Sequence, residues 1–168
     1  VEGVEGGGFK NRFGASTMVL LPLVAAHVDV PIVAAGGICD ARSMAAALVL
    51  GAEGVQMGTR LLASADSPVH GNLKQAVISA DETSTLLLPL DGRRMMRVIR
   101  TAAAEKLDAA GSFDAGGAAL QRVQRLYFDG DMDASVANTG QVAGRIDDLP
   151  PAADIIARMW TGCRQVLA

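Results

Sequence analysis

Residues 30–60 alternate between apolar and polar stretches in the order strand, helix, strand. The segments 30–35 and 54–57 are short, apolar and partly β-branched, and each is followed by glycine, which is typical of buried parallel strands. Between them, 41–50 has helical spacing, with Asp40 as the N-cap and Gly51 as the C-terminal stop. This order predicts a βαβ unit whose two strands are parallel and end at one edge of the sheet.

The rest of the chain has mostly helical periodicity. Helices are predicted over 17–28, 68–80, 92–107, 118–128 and 152–166. Glycine-rich or polar composition predicts loops over 3–8, 108–117 and 135–144. The residues expected to face the core are Leu20, Leu21, Val24 and Val28, then Leu120, Val123, Leu126 and Tyr127, and finally Ile155, Ile156, Met159, Trp160 and Val166.

Composition excludes several classes of partner. The chain has 168 residues, 20% of them charged, with a net charge of −3, and no basic run that would favour nucleic acid or an anionic membrane. Its apolar stretches are too short to span a bilayer, so we expect a cytoplasmic protein. Cys39 and Cys163 have no metal-ligand spacing. They are expected to be reduced thiols, and small-residue packing is preferred to a reactive role for Cys39.

The two strand ends suggest a binding site for phosphate. Gly36-Gly37 and Gly58-Thr59 follow the two parallel strands, where backbone N–H groups can approach an anion closely. A doubly wound dinucleotide fold would require G-x-G-x-x-G and an acidic residue at the next strand end, and neither is present. Phosphate binding after two late strands instead favours a (β/α)8 barrel, which takes about 250 residues. A chain that begins at Val1 is therefore expected to be the C-terminal part of such a barrel.

Several motifs together resemble the nitronate monooxygenase family, a relative of the FMN-dependent enoyl-acyl-carrier-protein reductases. They are 3–8, 34–38, 51–60 and 135–144, with a weaker match at 67–70 and Lys74. The resemblance implies an α/β fold: the C-terminal part of a TIM barrel (1–107), a mainly helical lid with an active-site loop (108–150), and a terminal helix that packs on the barrel (151–168). It also implies an FMN-dependent oxidoreductase that oxidises alkyl nitronates with oxygen.

The resemblance also assigns roles to individual residues. Main-chain groups of Gly36, Gly37, Gly58 and Thr59 are expected at the flavin phosphate, and the glycine-rich loop at the flavin ring. The full set of expected cofactor-binding residues is Gly6, Gly7, Gly8, Ala35, Gly36, Gly37, Gln56, Met57, Gly58 and Thr59. The side chain of Gln141 is expected on the substrate side.

One position departs from the family pattern. Phe9 stands where many nitronate monooxygenases have the histidine that takes a proton from the carbon beside the nitro group, and phenylalanine cannot accept a proton. A nitronate is already deprotonated, so its oxidation is compatible with Phe9. The remaining candidates for a catalytic group are Lys10, His70 and Gln141. The alternatives are an FMN-dependent reductase or dehydrogenase of an acyl-CoA or acyl-carrier thioester, with NAD(P)H as a possible partner, and an inactive phosphate-binding relative.

The sequence allows two roles for several other charged residues. Arg60 either lies at the rim of the phosphate site or forms a structural salt bridge, and Asp40 either contacts the cofactor or only caps its helix. Glu2 and Glu5 flank the glycine loop, but they have no histidine or metal partner for acid–base work. The arginines of the 92–107 segment either form a solvated helix face or meet an acidic carrier or the phosphates of coenzyme A. They are Arg93, Arg94, Arg97 and Arg100.

Overall fold

A computed structural model describes residues 1–90, 93–111 and 119–168. Its strands are β1 (Gly8–Asn11), β2 (Val33–Ala35), β3 (Gly54–Gln56), β4 (Thr85–Pro89) and β5 (Arg94–Ile99). Its helices are α1 (Thr17–Ala25), α2 (Ala41–Val49), α3 (Thr59–Leu62), α4 (Gly71–Ile78), α5 (Ala102–Ala110), α6 (Ala119–Gln124) and α7 (Ala152–Leu167). A π-helical turn spans Arg125–Asp129, and a 3₁₀ helix spans Gln141–Arg145.

The predicted βαβ unit is confirmed. Strands β2 and β3 pair in parallel, from Val33 opposite Gly54 to Ala35 opposite Gln56, and α2 connects them. The N-terminal residues extend this sheet, because Ala35 donates its N–H to the Val1 carbonyl at 2.8 Å and accepts from the Gly3 N–H at 3.1 Å. The fold is therefore α/β, and three parallel segments end at one edge.

Helix α2 begins and ends as the sequence predicts. Asp40 accepts a hydrogen bond from the Ser43 N–H at 2.8 Å, and the Ser43 hydroxyl in turn accepts from the Asp40 N–H at 3.0 Å. This reciprocal pair satisfies backbone N–H groups that a helix start leaves without partners. Gly51 follows the helix with a φ of +103°, which glycine adopts without steric cost.

A second sheet was not predicted. Strands β1, β5 and β4 form an antiparallel sheet in that order, with Phe9 opposite Met96 and Leu88 opposite Met96 on the other side. The prediction of one helix over 92–107 is therefore wrong: β5 occupies 94–99, and only 102–107 is helical, as the first part of α5. Gly92 lies outside the described residues. Arginines at 94, 97 and 100 have helical spacing, but pairing with two neighbouring strands determines the backbone conformation here.

The other predicted helices exist with different limits. Helix α1 ends at Ala25, so Val28 lies beyond it and is exposed, and α4 is shorter than 68–80. Residues 108–110 of the predicted loop belong to α5, whereas 112–117 lie outside the described residues. The helix predicted over 118–128 becomes a π-helical turn after Gln124, and its residue 118 is also outside the described part. Leu126 is buried, as predicted, but Leu120 is exposed.

Helix α7 packs on α2 through one face. Ile155, Met159 and Cys163 recur every four residues and are buried there. Trp160, at 53% exposed, was predicted to be core and is not, and the same correction applies to Ile156 and Val166. These three residues lie outside the narrow stripe of every fourth residue that faces α2. Among the described helices, none combines the length and apolar character needed to cross a membrane.

Candidate functional site

A cavity of about 280 Å³ opens where the parallel strands end. Its walls come from the glycine-rich loop, the ends of β2 and β3, the start of α3, and the segment before the 3₁₀ helix. The lining residues are Glu2, Glu5, Gly6, Gly7, Ala35, Gly36, Gly37, Ile38, Gln56, Gly58, Thr59, Leu62, Asn138, Gly140 and Val142. Segments distant in sequence thus share one small space.

The first strand end requires glycine for backbone reasons. Gly36 and Gly37 have φ values of +82° and +80°, a region that residues with a Cβ rarely adopt. A Cβ on Gly36 would also lie 3.0 Å from both the Gly3 carbonyl oxygen and the Gly6 nitrogen. The chain therefore turns sharply at this point while it remains in contact with the glycine-rich loop.

The second strand end does not need glycine for its backbone conformation. Gly58 has an ordinary right-handed backbone, and a Cβ built on it meets no atom within 4 Å. Gly58 lines the cavity, so the absent side chain leaves room in the cavity rather than relieving strain. The N–H groups of Gly58 and Thr59 belong to the first turn of a helix, where they have no carbonyl partner within the helix.

Thr59 links this turn to the segment before the 3₁₀ helix. Its Oγ1 accepts a hydrogen bond from the buried Gly140 N–H at 2.8 Å, and Thr59 itself is 8% exposed. The accepted bond uses a lone pair of the hydroxyl and leaves its hydrogen as a possible donor. Thr59 can therefore support the loop and donate to a ligand at the same time.

The glycine-rich loop packs against backbone as well as facing the cavity. A Cβ on Gly7 would lie 2.8 Å from the Thr139 nitrogen, and a Cβ on Gly140 would lie 2.8 Å from the Glu5 carbonyl oxygen. The same carbonyl accepts the Gln141 N–H at 2.9 Å. These glycines thus allow close contact between two loops, and Gly6 and Gly7 also line the cavity.

Glu5 ties the glycine-rich loop to α1. Its carboxylate accepts the Thr17 N–H at 3.0 Å, which supplies the N-terminal cap that Ser16 does not provide. The Thr17 hydroxyl donates to the Gly36 carbonyl at 2.8 Å. Burial lowers the pKa of the nearby Arg97, and the charge of Glu5 partly restores it. Glu5 therefore positions both loops of the cavity.

The Lys10 ammonium binds two neighbouring backbone carbonyls and the carboxylate of Glu2. It lies 2.9 Å from a Glu2 carboxylate oxygen and donates to the Gly7 and Phe9 carbonyls at 3.1 and 3.0 Å. The Lys10 side chain is only 5% exposed. Its donors are engaged by the loop itself, so Lys10 holds the glycine-rich turn together.

The other catalytic candidates lie beside the cavity or away from it. His70 caps α4, where its Nδ1 accepts the Asn72 N–H at 3.1 Å. Gln141 has an exposed side chain and contributes its backbone N–H to the loop contact. Among the described residues that line the cavity, none is Lys10, His70 or Gln141.

Eight of the ten expected cofactor-binding residues line this cavity. Gly8 instead begins β1, with a φ of +80°. Met57 lines a separate apolar cavity of about 620 Å³ beside α7. Sequence reasoning also missed Asn138, whose exposed side chain lines the cavity. No local pattern marks Asn138, because it is placed by a bridge to Val98 and by a bond from its N–H to the Tyr127 hydroxyl.

Arg60 and Asp40 belong to a neighbouring charged pocket. Arg60 is buried and forms a 2.9 Å ion pair with Asp148, while Asp40 pairs with Arg145. The structural reading of Arg60 is therefore the one that its contacts support. Cys39 lines the same pocket, and both cysteines are free and buried. Burial raises the pKa of the Cys39 thiol, which favours the unreactive protonated form.

The arginines of the 92–107 segment do not form one solvated face. Arg97 is buried, and its Nε donates to the Val4 carbonyl at 2.8 Å while Nη1 donates to the Thr85 hydroxyl at 3.0 Å. Arg100 is exposed and lies 3.5 Å from Glu105. Successive residues of a strand point to opposite faces of the sheet, so Arg94 and Arg97 lie on opposite faces of β5. Arg100 follows the end of β5. The three arginines therefore do not form the single row that they would form on a helix.

Nearly the whole chain matches a known protein family. A family model described as nitronate monooxygenase matches residues 1–162. A dehydrogenase of Mycobacterium tuberculosis, named for (3aS,4S,5R,7aS)-5-hydroxy-7a-methyl-1-oxo-octahydro-1H-indene-4-carboxyl-CoA, is 31% identical over 93% of this chain and 56% of its own length. A probable nitronate monooxygenase of Staphylococcus haemolyticus is 40% identical over 51% of this chain and 27% of its own.

Solved structures resemble the whole chain. FabK from Thermotoga maritima superposes with a TM-score of 0.87 at 35% identity, over 99% of this chain and 54% of that protein. A nitroalkane oxidase from Streptomyces ansochromogenes superposes with a TM-score of 0.80 at 25% identity, over 100% of this chain and 52% of that protein. The chain spans about half the length of these relatives.

Proposed function

Because the chain belongs to the nitronate monooxygenase family, we propose that it carries the phosphate-binding part of an FMN-dependent oxidoreductase that oxidises alkyl nitronates with oxygen. In this proposal the β2–α2–β3 unit is the C-terminal part of a (β/α)8 barrel. The segment 108–150 supplies the lid and the active-site loop. The boundaries given above for barrel, lid and terminal helix are part of the same proposal.

The observation that carries the proposal is the shared cavity at the ends of β2 and β3. Gly37, Gly58 and Thr59 line it together, although they come from two different loops. Backbone N–H groups of such turns bind phosphate without a basic side chain. The open space beside Gly58 fits a bound group, since nothing in the fold itself needs a glycine there.

The remaining lining residues fit the flavin ring and the substrate. Gly6 and Gly7 line the cavity with backbone atoms alone, and Asn138 offers an amide that can donate or accept a hydrogen bond. FMN, when bound, would supply the redox chemistry by accepting two electrons from the substrate and passing them to oxygen. The protein would bind, orient and shield the reacting groups.

Phe9 limits the substrate to one that needs no base at this position. Its side chain cannot accept a proton, and Lys10 beside it is paired with Glu2. A nitronate satisfies this condition, because its carbon has already lost the proton. We therefore expect nitronates to be oxidised and neutral nitroalkanes to react poorly.

A second candidate function follows from the relatives. Reduction or dehydrogenation of an acyl thioester, with NAD(P)H or another carrier as the electron partner, is favoured by the name of the M. tuberculosis relative, a CoA-thioester dehydrogenase that aligns with 93% of this chain. Phe9 is compatible with this chemistry too, since an apolar side chain can contact an acyl group.

The test is the flavin spectrum of the purified protein during substrate titration. Anaerobic addition of propionate 3-nitronate should bleach the oxidised flavin band, and admission of oxygen should restore it. Bleaching by NADPH with reoxidation by an enoyl-CoA, and no response to the nitronate, would establish the thioester function instead. A protein that remains colourless after reconstitution with FMN would refute both and indicate an inactive relative.

A further inference from the structure

A second pocket, of about 490 Å³, adjoins the cavity but is largely apolar. It lies between β1, β5 and the segment from α6 to the π-helical turn. Its apolar lining includes Phe9, Met96, Leu120, Tyr127 and Phe128. Asn138 lines both this pocket and the cavity at the strand ends, so the two spaces meet at its side chain.

The antiparallel sheet explains why this pocket is apolar. Leu88, Met96 and Phe9 stand opposite one another on adjacent strands, so they form one row on the same face of the sheet. Exposure increases along the row, from 0% at Leu88 through 6% at Met96 to 59% at Phe9. The row begins in the core and ends in the pocket.

The opposite face of the same sheet carries two buried charged side chains beside apolar ones. Lys10 alternates with Phe9 along β1 and pairs with Glu2, a residue that lines the cavity at the strand ends. Arg97, on β5, contacts the Val4 carbonyl beside Glu5. Lys10 and Arg97 therefore point away from the face that carries Phe9, and the exposed ring of Phe9 lies on the same face as Met96 and Leu88.

The apolar wall is left uncovered by the described residues. Phe9, Leu120 and Phe128 are each more than half exposed. All three line the same pocket, whereas single exposed apolar residues elsewhere need no explanation. The π-helical turn from Arg125 to Asp129 places Tyr127 and Phe128 on this wall, and such turns occur frequently at functional sites.

We infer that this pocket binds a hydrocarbon part of the substrate, an acyl chain or alicyclic ring, while Asn138 binds the polar group next to it. The reaction that this substrate undergoes rests on the proposed function, whereas the binding of an apolar group to the pocket does not. A nitronate with a short chain would leave most of the pocket empty. The substrate class is therefore a long-chain nitronate or an acyl thioester, which share this apolar part.

The test is calorimetric titration of the protein with straight-chain carboxylates from butanoate to decanoate, with and without FMN. Burial of each added methylene should raise the affinity about fourfold, with a negative heat-capacity change. Phe9→Ser and Leu120→Ser should each lower the decanoate affinity at least fivefold and flatten the dependence on chain length. Phe13→Ser, at an 85% exposed phenylalanine outside this pocket, should change neither.

The outcomes separate this inference from the proposed function. Equal affinity for all chain lengths, no binding, or equal losses in Phe9→Ser and Phe13→Ser would overturn the apolar subsite, whether or not FMN binds. Chain-length dependence that requires Phe9 and Leu120 would support the subsite even in a protein that binds no flavin. Asn138→Leu should lower carboxylate affinity equally at all chain lengths, and an unchanged affinity would refute its polar role.

Discussion

The hydroxyl oxygen of Thr59 accepts the backbone N–H of Gly140 at 2.8 Å, although 81 positions separate the two residues. This bond joins the turn after β3 to the segment that precedes the 3₁₀ helix. Both residues are buried and both line the cavity at the strand ends. The shape of the cavity therefore depends on a contact between the turn that follows the βαβ unit and a distant loop.

Thr59→Val removes this acceptor while it keeps the size of the side chain. The buried Gly140 N–H would lose its partner, so we expect the free energy of unfolding to fall by about 1–3 kcal/mol. FMN affinity should fall as well, because the loop that closes the cavity is released. Urea denaturation and flavin titration measure the two effects. Thr59→Ser retains the hydroxyl and serves as the control, and equal losses in both variants would contradict this role.

Glu2→Gln tests whether Lys10 is a structural residue. The Lys10 side chain is only 5% exposed. After the substitution its ammonium would still donate to the Gly7 and Phe9 carbonyls, but it would have no carboxylate partner. Because the Glu2 side chain is 45% exposed and glutamine keeps an amide oxygen that can accept from Lys10, we expect the free energy of unfolding to fall by about 0.5–1 kcal/mol. Glu53→Gln, at an exposed glutamate, is the control. A Glu2→Gln variant as stable as the control would mean that the pair does not hold the loop.

The cap of α2 should contribute a pH-dependent part of the stability. Burial alone would raise the pKa of Asp40, but hydrogen bonds from Ser43 and the charge of Arg145 together lower it. A carboxyl whose pKa is lowered in the folded state stabilises the fold above its unfolded pKa of about 3.9. That contribution is lost as the pH falls through the folded value.

Asp40→Asn keeps the N-cap acceptor and removes the charge. At pH 7 the variant should unfold at a lower urea concentration than the natural protein, and the difference should shrink towards zero at pH 3. Urea midpoints at both pH values give the result. A difference that stays constant with pH would show that the charge of Asp40 does not stabilise the fold.

The parallel strands and their glycine turns were predictable because the information is local. Short apolar runs, the Asp40 cap and the stop at Gly51 all act within a few residues of one another. The antiparallel sheet was not predictable in the same way. The Arg94–Ile99 segment contains methionine and arginine at spacings that also suit a helix, and only pairing with β1 and β4 makes it a strand.

The same distinction applies to the site. Gly36, Gly37, Gly58 and Thr59 are recognisable from their positions after strands, whereas Asn138 reaches the cavity through contacts with Val98 and Tyr127. The sequence also could not show that Lys10 pairs with Glu2, because that depends on how the glycine-rich turn folds back. Long-range contacts thus determine which polar groups near the cavity remain available to a ligand.

The most direct measurement of the central claim is FMN affinity in Gly58→Ala compared with Gly71→Ala. A Cβ meets no protein atom within 4 Å at either position, and Gly58 lines the cavity whereas Gly71 does not. Both variants should therefore fold as well as the natural protein. If main-chain groups at the strand ends bind the flavin phosphate, Gly58→Ala should weaken FMN binding at least tenfold, roughly 1.4 kcal/mol, and Gly71→Ala should leave it unchanged. Equal FMN affinity in both variants would contradict the proposed phosphate site.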